Sequence, residues 1–134
     1  MLDHTVEAGN PPDAPQLAPA VARVTTRTGR TPRTVTADRG YGEKRVDDAL
    51  HDLGVRTVVI PCKGKPGQAR QAEEHRRAFR RTIKWRNGSE GGISTLKRGY
   101  GWDRTRIDGT EGASICSGLG VLTHNLIKIS ALAA

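Results

Sequence analysis

Apolar positions recur along this chain with two different periods, and the periods divide it into elements. Leu17, Ala20, Val21 and Val24 fall at i, i+3, i+4 and i+7, the spacing of one helix face. Asp13 stands where a helix cap belongs and Gly29 where a left-handed stop belongs. Pro15 suits the first turn, whereas Pro19 lies inside the pattern and weakens its early part. A second stripe, Val46, Ala49, Leu50 and Leu53, predicts a helix over Glu43–Leu53 that ends at Gly54. The β-branched run Thr34–Ala37 precedes that helix, and Arg56–Ile60, stopped by Pro61, follows it. Strand, helix, strand in so short a stretch predicts a βαβ unit with parallel strands, hence an α/β fold. Leu2, His4, Val6 and Ala8 alternate and predict a further strand, closed by the turn Gly9-Asn10-Pro11-Pro12.

Beyond Ile60 the pattern is more polar. Lys63-Gly64-Lys65-Pro66-Gly67 reads as a flexible basic loop, and Gln68–Thr82 as a polar helix. Gly88, Gly91 and Gly92 weaken any helix through 87–92, and residues 98–112 are loop-rich. Ile115, Leu119, Leu122, Leu126 and Ile129 then recur in alternating steps of four and three, predicting a packing helix over Ala113–Leu132. No internal repeat is present.

Composition narrows the picture. The 134 residues suit one domain, but at 35% hydrophobic and 4% aromatic its core is thin. No uninterrupted run approaches the roughly 18 apolar residues of a membrane span, and Met1-Leu2-Asp3-His4 does not resemble a signal peptide. Cys62 and Cys116 are far apart and lack a C-x-x-C spacing, which fits small buried residues in a reducing cytosol better than a disulfide framework or a zinc site. The net charge of +8 is concentrated. Residues 1–62 hold eight basic and eight acidic side chains, 63–106 thirteen and four, and 107–134 one and two. All the imbalance therefore lies in the middle third, which favours phosphate contact over a merely solvated surface at about 63–106, with Arg76, Arg77, Arg80 and Arg81 as its densest cluster.

Two carboxylates stand out. Asp38 directly follows the first strand of the βαβ unit, at the strand end where ligands of open α/β sheets gather, and Gly40 and Gly42 let the backbone turn away from it. The bland alternative is a turn aspartate paired with Arg39. Glu90, if its segment is helical, shares a face with Arg86 and Lys97. A carboxylate between cations suits a divalent metal held near phosphates; the same spacing also makes solvated ion pairs. Trp85 and Trp102, inside the basic segment, suit base stacking or core packing equally well. His124 reads as a hydrogen-bonded helix residue, and His4, His51 and His75 share no metal-ligand spacing. The 63–67 loop lacks phosphate-loop spacing.

Arg86, Glu90 and Lys97 form R-x3-E-x6-K, which resembles the Y-x2-R-x3-E-x6-K signature of bacterial insertion-sequence transposases of the DDE group. Ala37-Asp38-Arg39-Gly40-Tyr41 resembles the segment bearing that group's second catalytic aspartate. The 9–14 turn, the Ile60-Pro61 strand end and the 120–126 terminus resemble the group as well. The likeness thus covers nearly the whole chain. It implies a ribonuclease-H-like α/β domain whose Asp, Asp and Glu bind two Mg²⁺ (or Mn²⁺) ions for in-line attack on a phosphodiester. On that basis Asp38 and Glu90 are the catalytic and metal-binding acids, and Arg86 and Lys97 grip DNA near the scissile phosphate. The resemblance further implies DNA as partner, a cytoplasmic setting without a membrane, and room for a homodimer.

Two departures qualify it. Ile83 stands where the signature has tyrosine. The first catalytic aspartate belongs to an earlier strand, and Asp3 is the one acid near the start whose location invites comparison. Residues 1–134 therefore read as a partial transposase catalytic domain, lacking the first strands and the DNA-end-recognition region, with a C-terminal packing helix, and inactive alone. The competing readings are a non-catalytic DNA-binding or inhibitory module using only the basic segment, and a remnant without function.

Overall fold

The computed structural model describes residues 1–9, 11–100, 104, 105 and 107–133, and their side chains except those of 89–93 and 100. It is mixed α/β, mostly helical, and comprises two compact units: residues 12–88, and residues 1–11 with 89–134.

The 12–88 unit is built on the predicted βαβ pattern. A 3-10 turn, Ala14–Gln16, leads into α1 (Leu17–Thr28). Pro19 falls within the first four residues of α1, whose N–H groups have no partner inside the helix, so its missing donor is tolerated there. Asp13 gives no side-chain cap; its carbonyl accepts from Gln16 N at 2.9 Å instead. Gly29 ends α1 as expected, at φ +69°, its N–H donating to Thr25 O at 2.8 Å. β1 (Thr34–Thr36), α2 (Lys44–Asp52) and β2 (Thr57–Val59) follow, and the strands pair in parallel with Thr34 opposite Thr57, Val35 opposite Val58 and Thr36 opposite Val59. Each strand is shorter than its sequence run, yet Ala37 and Ile60 stay buried just past the ladder. Leu53 leaves the predicted stripe because α2 stops one residue earlier, and it is exposed.

Ala14, Val21, Val35, Ala37, Val46, Leu50, Val55 and Ile60 form the core, with Leu17, Ala18, Tyr41 and Val58 packed against it. Most are small, so each large side chain matters. Leu50 is completely buried. Leu50→Ala should therefore cost about 2–5 kcal/mol, by lost apolar transfer and a cavity this thin core cannot fill. Urea denaturation with an unchanged slope and a lowered midpoint would report it; an unchanged midpoint would show the core to be assembled differently.

α3 (Gln68–His75) and α4 (Arg77–Tyr100) replace the single polar helix expected over 68–82, with Arg76 extended between them. α4 runs on through the glycines at 88, 91 and 92 and into the stretch expected to be loop. Its residues 77–88 belong to the first unit and the remainder to the second.

In the second unit α5 (Gly109–Ala133) confirms the terminal helix but not its packing. Ile115, Leu119, Leu122, Leu126 and Ile129 are 49–61% exposed. The inward face lies to one side of the stripe: Gly112 and Gly120 are buried, and Ala113, Cys116 and Ser117 line a cavity with His4, Thr5 and Val6. Small residues there let other chain segments approach closely; a Cβ on Gly112 would lie 2.5 Å from Ile107 Cγ2. Residues 2–8 form no strand. His4 and Val6 are half-buried and line that cavity, whereas Leu2 and Ala8 are exposed; next to them the Met1 amino group donates to Asn125 Oδ1 at 2.6 Å and Asn125 Nδ2 donates to Met1 O at 2.8 Å. With a mean hydropathy of 1.3 over its most apolar window, α5 is long and apolar enough to cross a membrane by length and composition alone, which a count of uninterrupted apolar residues does not register.

Candidate functional site

Asp38 stands one residue past the buried Ala37, at the carboxyl ends of the parallel strands. Its backbone is extended, and Oδ1 accepts from Gly40 N at 2.8 Å, which caps the 3-10 turn Arg39–Tyr41. Oδ2 has no hydrogen-bond or ion-pair partner among the described residues. Arg39 does not pair with it. The Arg39 guanidinium instead donates through Nε to Cys62 O at 2.9 Å, beyond the end of β2. The bland reading of Asp38 as half of an Asp–Arg turn pair therefore does not hold, and the exposed Asp38 keeps one carboxylate oxygen without a partner among the described residues.

The two strand exits are stitched together around this point. Lys63 N donates to Gly42 O at 2.8 Å, and Lys63 Nζ reaches Glu43 Oε1 at 2.7 Å. Gly42 permits the approach: a Cβ there would lie 1.9 Å from Pro61 O. From α3, Glu74 Oε1 accepts from Cys62 N at 2.7 Å and from Arg70 Nε at 3.3 Å, while Arg70 Nη2 donates to Ile60 O at 2.6 Å. The Arg70 guanidinium also lies 5.9 Å from the centroid of the buried Phe79 ring. Sequence reading missed this clamp. Its only signal was the i, i+4 spacing of Arg70 and Glu74, which most often marks a solvated pair.

Local charge follows from these contacts. The hydrogen bond from Lys63, then that from Arg45, holds the Glu43 carboxyl below the ordinary range. Burial, then the carboxylates of Asp13 and Asp38, pushes the Tyr41 phenol up, so it stays neutral. Tyr41, Gly42, Glu43, Ile60, Cys62 and Arg70 line a cavity of about 260 Å³ beside the loop.

The predicted cations are placed as follows. Arg77, Arg80 and Arg81 are exposed and, with Lys84, occupy one face of α4, while Phe79 is buried on the other. Arg76 is exposed too but pairs with Glu73 at 2.8 Å, so its charge is partly met within the chain. Arg86 is half-buried and donates to Asn87 Oδ1 at 3.0 Å. Lys97 is exposed in the second unit. Glu90 lies on α4, and its backbone position, seven residues before Lys97, returns to the same side of the helix. The Glu90 side chain lies outside the described residues, as does Trp102. The pairing of Asp38 with Glu90 accordingly rests on the signature. Cys62 and Cys116 are half-buried rather than fully buried.

Among the described residues, no group of three or more His, Cys, Asp or Glu side chains gathers to hold a metal ion. The second oxygen of Asp38 suits one ligand position for a hard divalent cation. The described residues complete no site around it.

The family model for the transposase DDE domain matches residues 1–126. No curated protein and no solved structure matches the chain. The matched span takes in every motif that carries the resemblance, from the 9–14 turn through Asp38 to Arg86, Glu90 and Lys97, and the chain belongs to the transposase DDE domain family.

Proposed function

We propose that the chain is the DNA-gripping part of a bacterial insertion-sequence transposase, with Asp38 as the second and Glu90 as the third catalytic acid. The observation that supports this best is the exposed Asp38 carboxylate, held by its own turn at the strand ends, unpaired with Arg39, and with one oxygen lacking a partner among the described residues. A protein that only gripped phosphates would gain nothing from that negative charge. The expected architecture is ribonuclease-H-like, with the β1–β2 pair as part of its sheet, and the expected setting is the cytoplasm, where the DNA is.

Members of this family depend on divalent metal, and Asp38 and Glu90 would hold Mg²⁺ or Mn²⁺ here. When bound, such ions activate the attacking oxygen and stabilise the leaving one. Arg77, Arg80 and Arg81, with Arg76 after release from Glu73, hold the DNA backbone, while Arg86 and Lys97 act nearer the scissile phosphate. The outward stripe of α5 supports a homodimer, since steps of four and three are those of a helix-to-helix seam. A non-catalytic DNA-binding or inhibitory module remains the second reading; it uses the same arginines and leaves Asp38 only the capping of its own turn.

Duplex DNA of unrelated sequences should bind with similar affinity. If about six phosphates are neutralised, log K falls with log salt at a slope near −5. Replacing Arg76, Arg77, Arg80 and Arg81 with Ala should weaken binding and flatten the slope. Affinity indifferent to salt would remove the electrostatic basis of the assignment.

A further inference from the structure

The basic face of α4 carries a feature that phosphate contact does not need. Trp85 is 72% exposed, although a side chain so large and apolar is ordinarily well covered. It stands one turn beyond Arg81, at the border of the cation face, and with Arg81, Thr82, Thr34 and Thr36 it lines a cavity of about 380 Å³. All of these residues belong to the 12–88 unit.

The polar groups in the wall are mostly already used. The Thr36 hydroxyl donates to Val59 O at 2.8 Å, and that of Thr82 to Ala78 O at 3.1 Å. Both turn their donor hydrogen to the backbone, which leaves a wall with few free donors to read a base edge. The Thr34 hydroxyl and the exposed Arg81 guanidinium have no partner among the described residues. An open indole face, a wall poor in free donors and a cation about 6 Å along the helix axis match a base and its neighbouring phosphate.

We propose that this cavity binds an unpaired nucleobase of a DNA strand, stacked on Trp85, with Arg81 on the adjacent phosphate. The inference rests on the DNA reading above and goes beyond it, because stacking on an indole requires a base outside the duplex. Such binding favours single-stranded or unpaired DNA and tolerates any base, since every base has a π face.

The test uses the full chain carrying Trp102→Phe, which leaves Trp85 as the sole indole. Its emission is followed against an oligothymidylate of about 12 nucleotides and against a blunt hairpin duplex. Quenching by the single strand is expected. With affinities read from the anisotropy of end-labelled DNA, Trp85→Ala should lower single-strand affinity about five- to a hundred-fold while changing duplex affinity less than about twofold, and Trp85→Phe, which keeps an aromatic face, should recover part of the loss. Trp85 is exposed, so these changes should leave the far-ultraviolet dichroism unaltered. Salt-dependent binding of both DNAs without quenching, or with equal effects of Trp85→Ala on the two, would overturn the stacking site and leave the electrostatic reading in place. Binding of neither DNA would overturn both.

Discussion

Gly42→Ala should lower the melting temperature of the 12–88 unit by about 12 °C or more, corresponding to at least about 3 kcal/mol in a unit of this size. The added Cβ would meet Pro61 O at 1.9 Å, Lys63 N at 2.8 Å and the Pro61 carbonyl carbon at 2.9 Å. All three are backbone atoms, so no side chain can swing aside. The φ of Gly42 is −77°, which any residue adopts, and the expected loss is therefore one of space rather than torsion. Relief requires the two strand exits to part, which breaks the Lys63 N–Gly42 O bond and loosens the Arg39 and Lys63 contacts around Asp38. Gly40→Ala is the matched control. Its Cβ would meet only Asp38 Oδ1, at 3.0 Å, the far end of a side chain that can rotate. That variant should keep the stability and shift the carboxylate. Calorimetry on the pair separates the two effects; a Gly42→Ala protein melting with the wild type would show that the exits are not joined this closely.

The contrast between these two glycines also bears on what the sequence can disclose. The βαβ unit is legible because its signals are local: the stripe of α2 has period 3.6, Gly29 and Gly54 take left-handed conformations, and β-branched residues fill both strands. Asp38 is legible because it follows the strand directly. Gly42 looks no different from Gly40 until Pro61 is brought beside it. The Glu74 contact with Cys62 N is equally non-local, and an i, i+4 pair does not announce that one partner holds a neighbouring loop.

The stripe on α5 shows the opposite limit. Its spacing establishes a helix with one apolar face, and that much holds. Periodicity says nothing of what covers the face, and within its unit the helix packs through Gly112, Cys116 and Gly120 instead. The same limit applies to the alternation at Leu2–Ala8, where no strand forms: His4 and Val6 line a cavity with α5, and Leu2 and Ala8 are exposed. At α4 the propensity penalty of three glycines was overridden, and the helix that carries the signature is continuous.

The second large effect is expected in catalysis. Incubated with Mg²⁺ or Mn²⁺ and labelled DNA ends, the 134-residue chain should bind the DNA and neither nick nor join it. In-line chemistry on a phosphodiester needs enough carboxylate oxygens to fix both ions at the spacing of the attacking and leaving oxygens. The signature supplies two of the acids that the family's site needs, Asp38 and Glu90. Two acids can attract a divalent ion weakly without setting the geometry of a pair. Asp38→Asn and Glu90→Gln should therefore leave DNA affinity unchanged or slightly higher, because each removes a negative charge near a basic surface. Metal-dependent cleavage by the wild-type chain that disappears in Glu90→Gln would overturn this prediction. It would mean that a third group completes the site, and loss of the same cleavage in Asp3→Asn would identify Asp3 as that group.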